Sequence, residues 1–124
     1  MPIFTHVVVG TNDMKKAKAF YNDVLGPLGL TCMVDRDDRS MWGKEAPEFM
    51  VATPINGKEA CYANGGTIGF IAPDPQAVDR FHAAALAKGG VCEGPPGPRA
   101  ALPGTYVGYV RDPDGNKICA VHHS

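Results

Sequence analysis

Two side chains near the ends of this chain are able to do chemistry, His6 in FTHVVVG and Cys119 in RDPDGNKICAVHHS. An imidazole facing a thiol across a cleft would form a nucleophilic pair, provided that nearby positive charge favours the thiolate. Without such charge a cysteine is a small buried hydrophobe, the more usual role of a free thiol. His6 has three readings: a metal ligand, a hydrogen-bond donor to a bound molecule (the favoured one), or a histidine at a sheet edge. Trp42, Tyr62, Tyr106 and Tyr109 suit the walls of a small-molecule pocket, since each joins an apolar ring to a polar tip. Arg99, in a loop rich in proline, could receive the carboxylate or phosphate of a ligand or simply be solvated. Cys32, Cys61 and Cys92 are irregularly spaced with Cys119 and form no C-x-x-C pair, which argues against a zinc knuckle or a dithiol motif. His82 falls on a helix stripe, and His122 and His123 lie at the C-terminus.

The elements that position these residues follow from short-range pattern. FTHVVVG is β-branched and is followed by TND, which supplies a turn and a helix cap at Asp13. In MKKAKAFYNDVLG, Ala17, Phe20, Tyr21 and Val24 recur at helical spacing, and Gly26-Pro27 closes the helix. Strands are expected at GLTCMV and FMVAT, with a short one near EACYA. TIGFIA then reads as a strand, Asp74 as a cap, Pro75 as a first helical residue, and PQAVDRFHAAALAKGG as a helix ended by Gly89-Gly90. GPPGPRAALPG reads as an extended loop that could cover a cleft. GTYVGYV, a DPDG turn and KICAV complete the chain.

The second half repeats the first. Phe81 and Phe20, Leu86 and Leu25, Asp74 and Asp13, and Gly90 and Gly29 are all 61 positions apart. Each half is thus a strand, a helix and further strands, with modules of about residues 1–64 and 65–124 in one domain. The helix of each half must cover one face of its sheet to bury the Phe20 or Phe81 stripe. By strand alternation Val7, Val9, Ile68 and Phe70 point to the helices, while His6, Val8, Thr67, Gly69 and Ile71 point to the other, open face. Cys119 and Val121 join that face if Ile118 and Ala120 pack under the helices.

Composition narrows the function classes. A chain of 124 residues with 44% apolar and 20% charged content has the makeup of one soluble globular domain. Twelve basic residues against thirteen acidic ones leave no field strong enough to hold a nucleic acid or an anionic membrane. The start, MPIFTHVVV, has neither the basic segment nor the apolar run of a signal peptide, so cytoplasmic residence is the default expectation.

Taken in order, HVVVGTNDMKKAKAFYNDVLGPLGL, TIGFIAPDPQAVDRFHAAALAKGG and YVRDPDGNKI resemble the vicinal oxygen chelate superfamily, which includes glyoxalase I, extradiol dioxygenases and bleomycin-resistance proteins. The resemblance implies an α+β fold of two βαβββ modules forming a curved mixed sheet with an open cleft, and a homodimer. In metal-using members a divalent ion is held by His or Glu from the first and last strands of each module. The matching positions here are His6, Thr67 and Cys119, where the carboxylate would stand, with Met50 or Ala52 at the end of the first half and Glu48 as a further donor. Two ligands, His6 and Cys119, fall short of the three protein groups of a catalytic zinc site. The expectation is therefore a protein that binds a small organic molecule through His6, Trp42, Thr67, Tyr106 and Cys119 without a firmly held metal. The alternatives are a lyase or isomerase of lactoylglutathione-lyase type using Zn, Ni, Mn or Fe, and an interaction module with a vestigial cleft.

Overall fold

The computed structural model describes residues 3–124. Strand β1 (Val7–Gly10) leads into helix α1 (Met14–Leu25), whose first turn is capped by the Asp13 carboxylate accepting from the Lys16 N–H at 3.1 Å. The helix buries Ala17, Phe20, Tyr21, Val24 and Leu25 on one side. A 3-10 turn at Gly26–Leu28 carries the chain to Gly29, whose φ of 84° is a left-handed conformation that a glycine adopts without a Cβ clash. Strands β2 (Thr31–Asp35), β3 (Arg39–Gly43) and β4 (Pro47–Ala52) finish the first module. The second module repeats the plan with β5 (Ile68–Ile71), α2 (Pro75–Ala87), β6 (Val91–Arg99), β7 (Leu102–Arg111) and β8 (Lys117–His123). Its cap is Asp74, accepting from the Ala77 N–H at 2.7 Å, with Pro75 as the first helical residue.

The architecture is the α+β arrangement of two βαβββ modules, each with a four-stranded mixed sheet. The strand orders are β1-β4-β3-β2 and β5-β8-β7-β6, with β1 parallel to β4 and β5 parallel to β8. Two local expectations are corrected. EACYA forms no strand, because its backbone is engaged elsewhere: Asn12 Nδ2 donates to the Ala60 carbonyl at 3.0 Å, and Ala60 N–H donates back to Asn12 Oδ1. GPPGPR is not a loop but most of β6. Three prolines are tolerated because β6 is the outer strand of its sheet and its pairing with β7 is interrupted by register shifts between Cys92 and Gly94 and between Gly94 and Gly97. Among the described residues no helix is long and apolar enough to cross a membrane.

One hydrophobic core lies on the helix side of both sheets. Phe20, Tyr21, Trp42 and Phe49 from the first module meet Phe70, Phe81, Val110 and Ile118 from the second, with Phe49 and Phe70 edge to face at 5.1 Å. Val7, Val9 and Ile68 pack against this core, while Val8 and Ile71 are exposed.

The RDPDGN turn acts as a clamp between the modules. Asp112 is buried and accepts from Tyr21 Oη of α1, from Asn116 Nδ2 at 2.9 Å, and from the Asn116 and Asp114 N–H groups. Asn116 Nδ2 also donates to the Gly10 carbonyl at 3.0 Å. The Asp114 carboxylate accepts from the Thr11 hydroxyl at 2.6 Å and the Asn12 N–H at 2.9 Å. Burial pushes the Asp112 carboxyl above its ordinary value, an effect opposed by the bonds from Tyr21 and Asn116. Replacing Tyr21 with Phe removes one donor from this carboxylate without altering the ring. Urea unfolding of Tyr21→Phe is expected to show a loss of about 1–3 kcal/mol, the cost of a buried polar group left short of a partner. An unchanged midpoint would show that the clamp contributes nothing.

Candidate functional site

The first and fifth strands are each paired on one side only, β1 by β4 and β5 by β8. Next to these free edges lies a cavity of about 720 Å³. Open-face residues His6, Thr67, Gly69 and Ile71 line it, and so do the side chains of Val7, Trp42, Phe49, Ile68 and Phe70, which belong to the core or pack against it. The walls are mainly apolar, with a few separate polar groups at His6, Lys44, Glu48 and Thr67. This volume and this mixture suit a small organic molecule, for which pockets of about 300–1,000 Å³ are usual.

His6 and Thr67, twins by the internal repeat, thus share one cavity. The His6 ring shares a hydrogen bond between Nδ1 and the Thr5 hydroxyl at 3.0 Å, which leaves Nε2 without a partner among the described residues. Glu48 borders the same cavity and precedes Phe49, the register partner of Val7.

Trp42 borders the same cavity but differs from expectation. It is 1% exposed, packs on Tyr21 and Phe49, and donates its Nε1–H to Asn22 Oδ1 of α1 at 2.9 Å. Its polar tip is therefore used within the core, and the ring offers a ligand only an apolar wall.

Tyr106 does not belong to the cavity. It packs against the helix-side core, and its hydroxyl donates to Asp79 Oδ1 of α2 at 2.7 Å. Strand alternation gives the reason: Tyr106 is out of phase with Tyr109 on β7, and it is Tyr109 that pairs with Cys119 on the open face. Tyr62 lies in the connection between β4 and β5, with the Arg111 guanidinium 5.1 Å from its ring centre.

Cys119 is on the open face, flanked in register by Gly69 and Tyr109, but it is not among the cavity walls. A Cβ added at Gly69 would lie 3.3 Å from Cys119 Sγ, so the thiol fills the space beside the glycine. Cys119 is 5% exposed, and burial raises its thiol pKa, partly offset by the charge of Lys117. The side chain is a neutral thiol in the neutral pH range. That disfavours both a nucleophilic pair with His6 and metal ligation, which needs the thiolate.

The donor set that the fold family calls for can now be compared with the residues present. Thr67 offers a hydroxyl, Cys119 a protonated thiol, and Met50 a thioether. Among the described residues no three His, Cys, Asp or Glu side chains gather into a group able to hold a metal ion. These residues do not fit a catalytic zinc ion, which takes three protein ligands. Phe4 and Lys44 at the cavity and Phe49 in its wall were not singled out from sequence. Phe49 carried a signal, since it sits one residue before the predicted inward Met50 and must face the helices.

Sequence and structural comparisons agree with this fold. A family model described as Glyoxalase/Bleomycin resistance protein/Dioxygenase superfamily matches residues 3–120. No curated protein matches the chain. Among solved structures, a glyoxalase/bleomycin resistance protein from Albidiferax ferrireducens T118 is 48% identical with a TM-score of 0.92, the alignment covering 98% of this chain and 100% of that one. A lactoylglutathione lyase from Agrobacterium tumefaciens is 23% identical with a TM-score of 0.68 over 98% and 95% of the two chains. A glyoxalase/bleomycin resistance protein/dioxygenase family enzyme from Burkholderia phytofirmans PsJN is 15% identical with a TM-score of 0.73 over 97% and 98%. The last two likenesses concern the fold alone.

Accessibility of the thiols provides a direct check on the site. Cys32, Cys61 and Cys92 are exposed and Cys119 is buried. With iodoacetamide at pH 8, peptide mass spectrometry is expected to find Cys119 the last of the four to be alkylated in the native protein, and the difference should vanish in urea. Early alkylation of Cys119 would contradict its placement.

Proposed function

Because the chain belongs to the Glyoxalase/Bleomycin resistance protein/Dioxygenase superfamily, we propose that it binds a small organic molecule in the cavity beside β1 and β5, without a firmly held metal. The observation that carries this reading is the cavity itself: apolar walls from Trp42, Phe49 and Phe70, with His6 and Thr67 as separate polar groups at its open-face rim. Apolar burial supplies the affinity. The unpartnered Nε2 of His6 and the Thr67 hydroxyl orient polar atoms of the ligand, and Cys119 backs the floor behind Gly69. Sequestration asks no more of these groups than hydrogen bonding.

A second reading, a metal-dependent lyase or isomerase of lactoylglutathione-lyase type, draws support from one feature: His6, just before β1, and Glu48, just before the register partner of Val7 on β4, both border the cavity. It would need a third donor, for which Thr67 and the buried Cys119 are poor candidates.

One experiment separates the readings. The protein is stripped of metals, and its thermal stability is measured with small aromatic amides and acids, and separately with Zn, Ni, Mn and Fe. A ligand present at 100 times its dissociation constant is expected to stabilise by about 2.7 kcal/mol. Thr67→Trp, which fills the cavity from an exposed position just before β5, is expected to abolish this gain. Stoichiometric metal retention that depends on His6 would overturn the metal-free reading, and no stabilisation by any compound would leave an interaction module with a vestigial cleft.

A further inference from the structure

The open face of the second sheet carries a group of side chains that the cavity does not account for. In register across four strands, Gly69, Cys119, Tyr109 and Gly94 form one row. Within this row the Tyr109 ring stands between the Cys119 thiol and Gly94, whose missing side chain leaves room that Arg99 takes. Arg99, from the proline-rich strand β6, folds back over this row with its guanidinium 5.7 Å from the Tyr109 ring centre. The position is built: Arg99 donates to the carbonyls of Pro95 at 2.7 Å, Gly97 at 3.0 Å and Pro98 at 3.2 Å. Gly94 is what admits it, because a Cβ there would lie 3.1 Å from Arg99 Nη2 and 3.3 Å from Tyr109 Cδ2. Lys117 reaches the same ring from β8, with Nζ 5.2 Å from its centre.

Neither cation meets a carboxylate within ion-pair distance among the described residues. The neighbouring Arg111 contrasts with them, since it is paired with Glu93 at 2.8 Å. In a chain of net charge −1, two uncompensated cations beside one tyrosine form a local positive field on an otherwise balanced surface. Tyr109 Oη has no hydrogen-bond partner among the described residues, so a third donor is available there. Gly69 belongs both to this row and to the cavity wall. The row runs from Gly69 past the buried Cys119 to Tyr109, two strand spacings of about 4.8 Å, close to the length of a two-ring aromatic acid measured through its carboxylate.

We propose that the ligand of this protein is a planar aromatic carboxylate, its rings in the cavity beside Gly69 and its anionic group held at Tyr109 by Arg99 and Lys117. The inference rests on the cavity-binding reading above and specifies its ligand class. Cation and aromatic surfaces favour a planar anion over a compact one, because the body of the ligand covers apolar wall while the carboxylate takes charge-assisted hydrogen bonds.

The test compares 2-naphthoate with the neutral 2-naphthamide by calorimetric titration, with inorganic phosphate as a compact anion. Naphthoate is expected to bind about tenfold or more tightly than the amide, the order of one charge-assisted hydrogen bond. That preference should weaken with added salt. It should be lost in Lys117→Gln, a variant that removes no side-chain hydrogen bond among the described residues, and reduced in Arg99→Gln. Equal binding of acid and amide, or a preference that survives both substitutions, would overturn the inference while leaving cavity binding intact. Phosphate binding as tightly as naphthoate would overturn it too, showing a general anion site. If neither naphthalene compound binds, this inference fails, and the cavity reading fails separately if Thr67→Trp also has no effect on any compound in the wider screen.

Discussion

Asp112 is the carboxylate on which the arrangement of the two modules depends. A buried acid is costly unless its lone pairs are met, and here four donors meet them: a phenol from α1, an amide side chain and two backbone N–H groups from its own turn. The same turn reaches Gly10, Thr11 and Asn12 at the end of β1. The start of one module is thereby tied to the last hairpin of the other. With Gly10 held near Asn116, the free edges of β1 and β5 are left to border a cavity, and Phe49 against Phe70 closes its inner side.

The internal repeat does not produce equal halves at the site. Positions 6 and 67 are twins, yet one carries an imidazole and the other a hydroxyl, and both border the cavity. The open face is likewise uneven. On β8 the alternation that aims Cys119 at this face aims Lys117 there too, while in the first module the corresponding strand β4 presents Glu48 and Met50. A duplicated scaffold thus carries a polar, histidine-bearing rim on one side and a cationic, aromatic floor on the other. Symmetric metal ligation would need matched donors from the two halves. This unevenness suits recognition of an asymmetric molecule with distinct ends.

Burial sets the chemical character of the remaining groups. The Cys119 thiol is held protonated by desolvation, so its reactivity is low although it lies on the open face of the sheet. Trp42 and Tyr106 each gave their polar tip to a helix, to Asn22 and Asp79 respectively, because an aromatic packed in or against the core seats its N–H or O–H on the nearest acceptor. Neither is then free to orient a ligand.

Periodicity alone determined the two modules, their helices and caps, and the two faces of β1, β5 and β8, because the 61-residue repeat and strand alternation are local, one-dimensional signals. The cavity lining was legible to the same depth: that His6 and Thr67 border one hollow followed from alternation, and so did the side on which Cys119 lies. The tertiary structure decided what depends on contacts between distant segments. Proline spacing in GPPGPR hid a strand because it did not reveal that β6 would be an outer strand, where missing N–H groups are tolerated. Arg99 could be named as an anion receiver from its type, but its place over Tyr109 depends on the fold-back at Gly94, and its company with Lys117 depends on pairing across β6, β7 and β8. Which side chains of this chain share a cavity was fixed by strand pairing and the Asp112 clamp, both interactions between residues far apart in sequence.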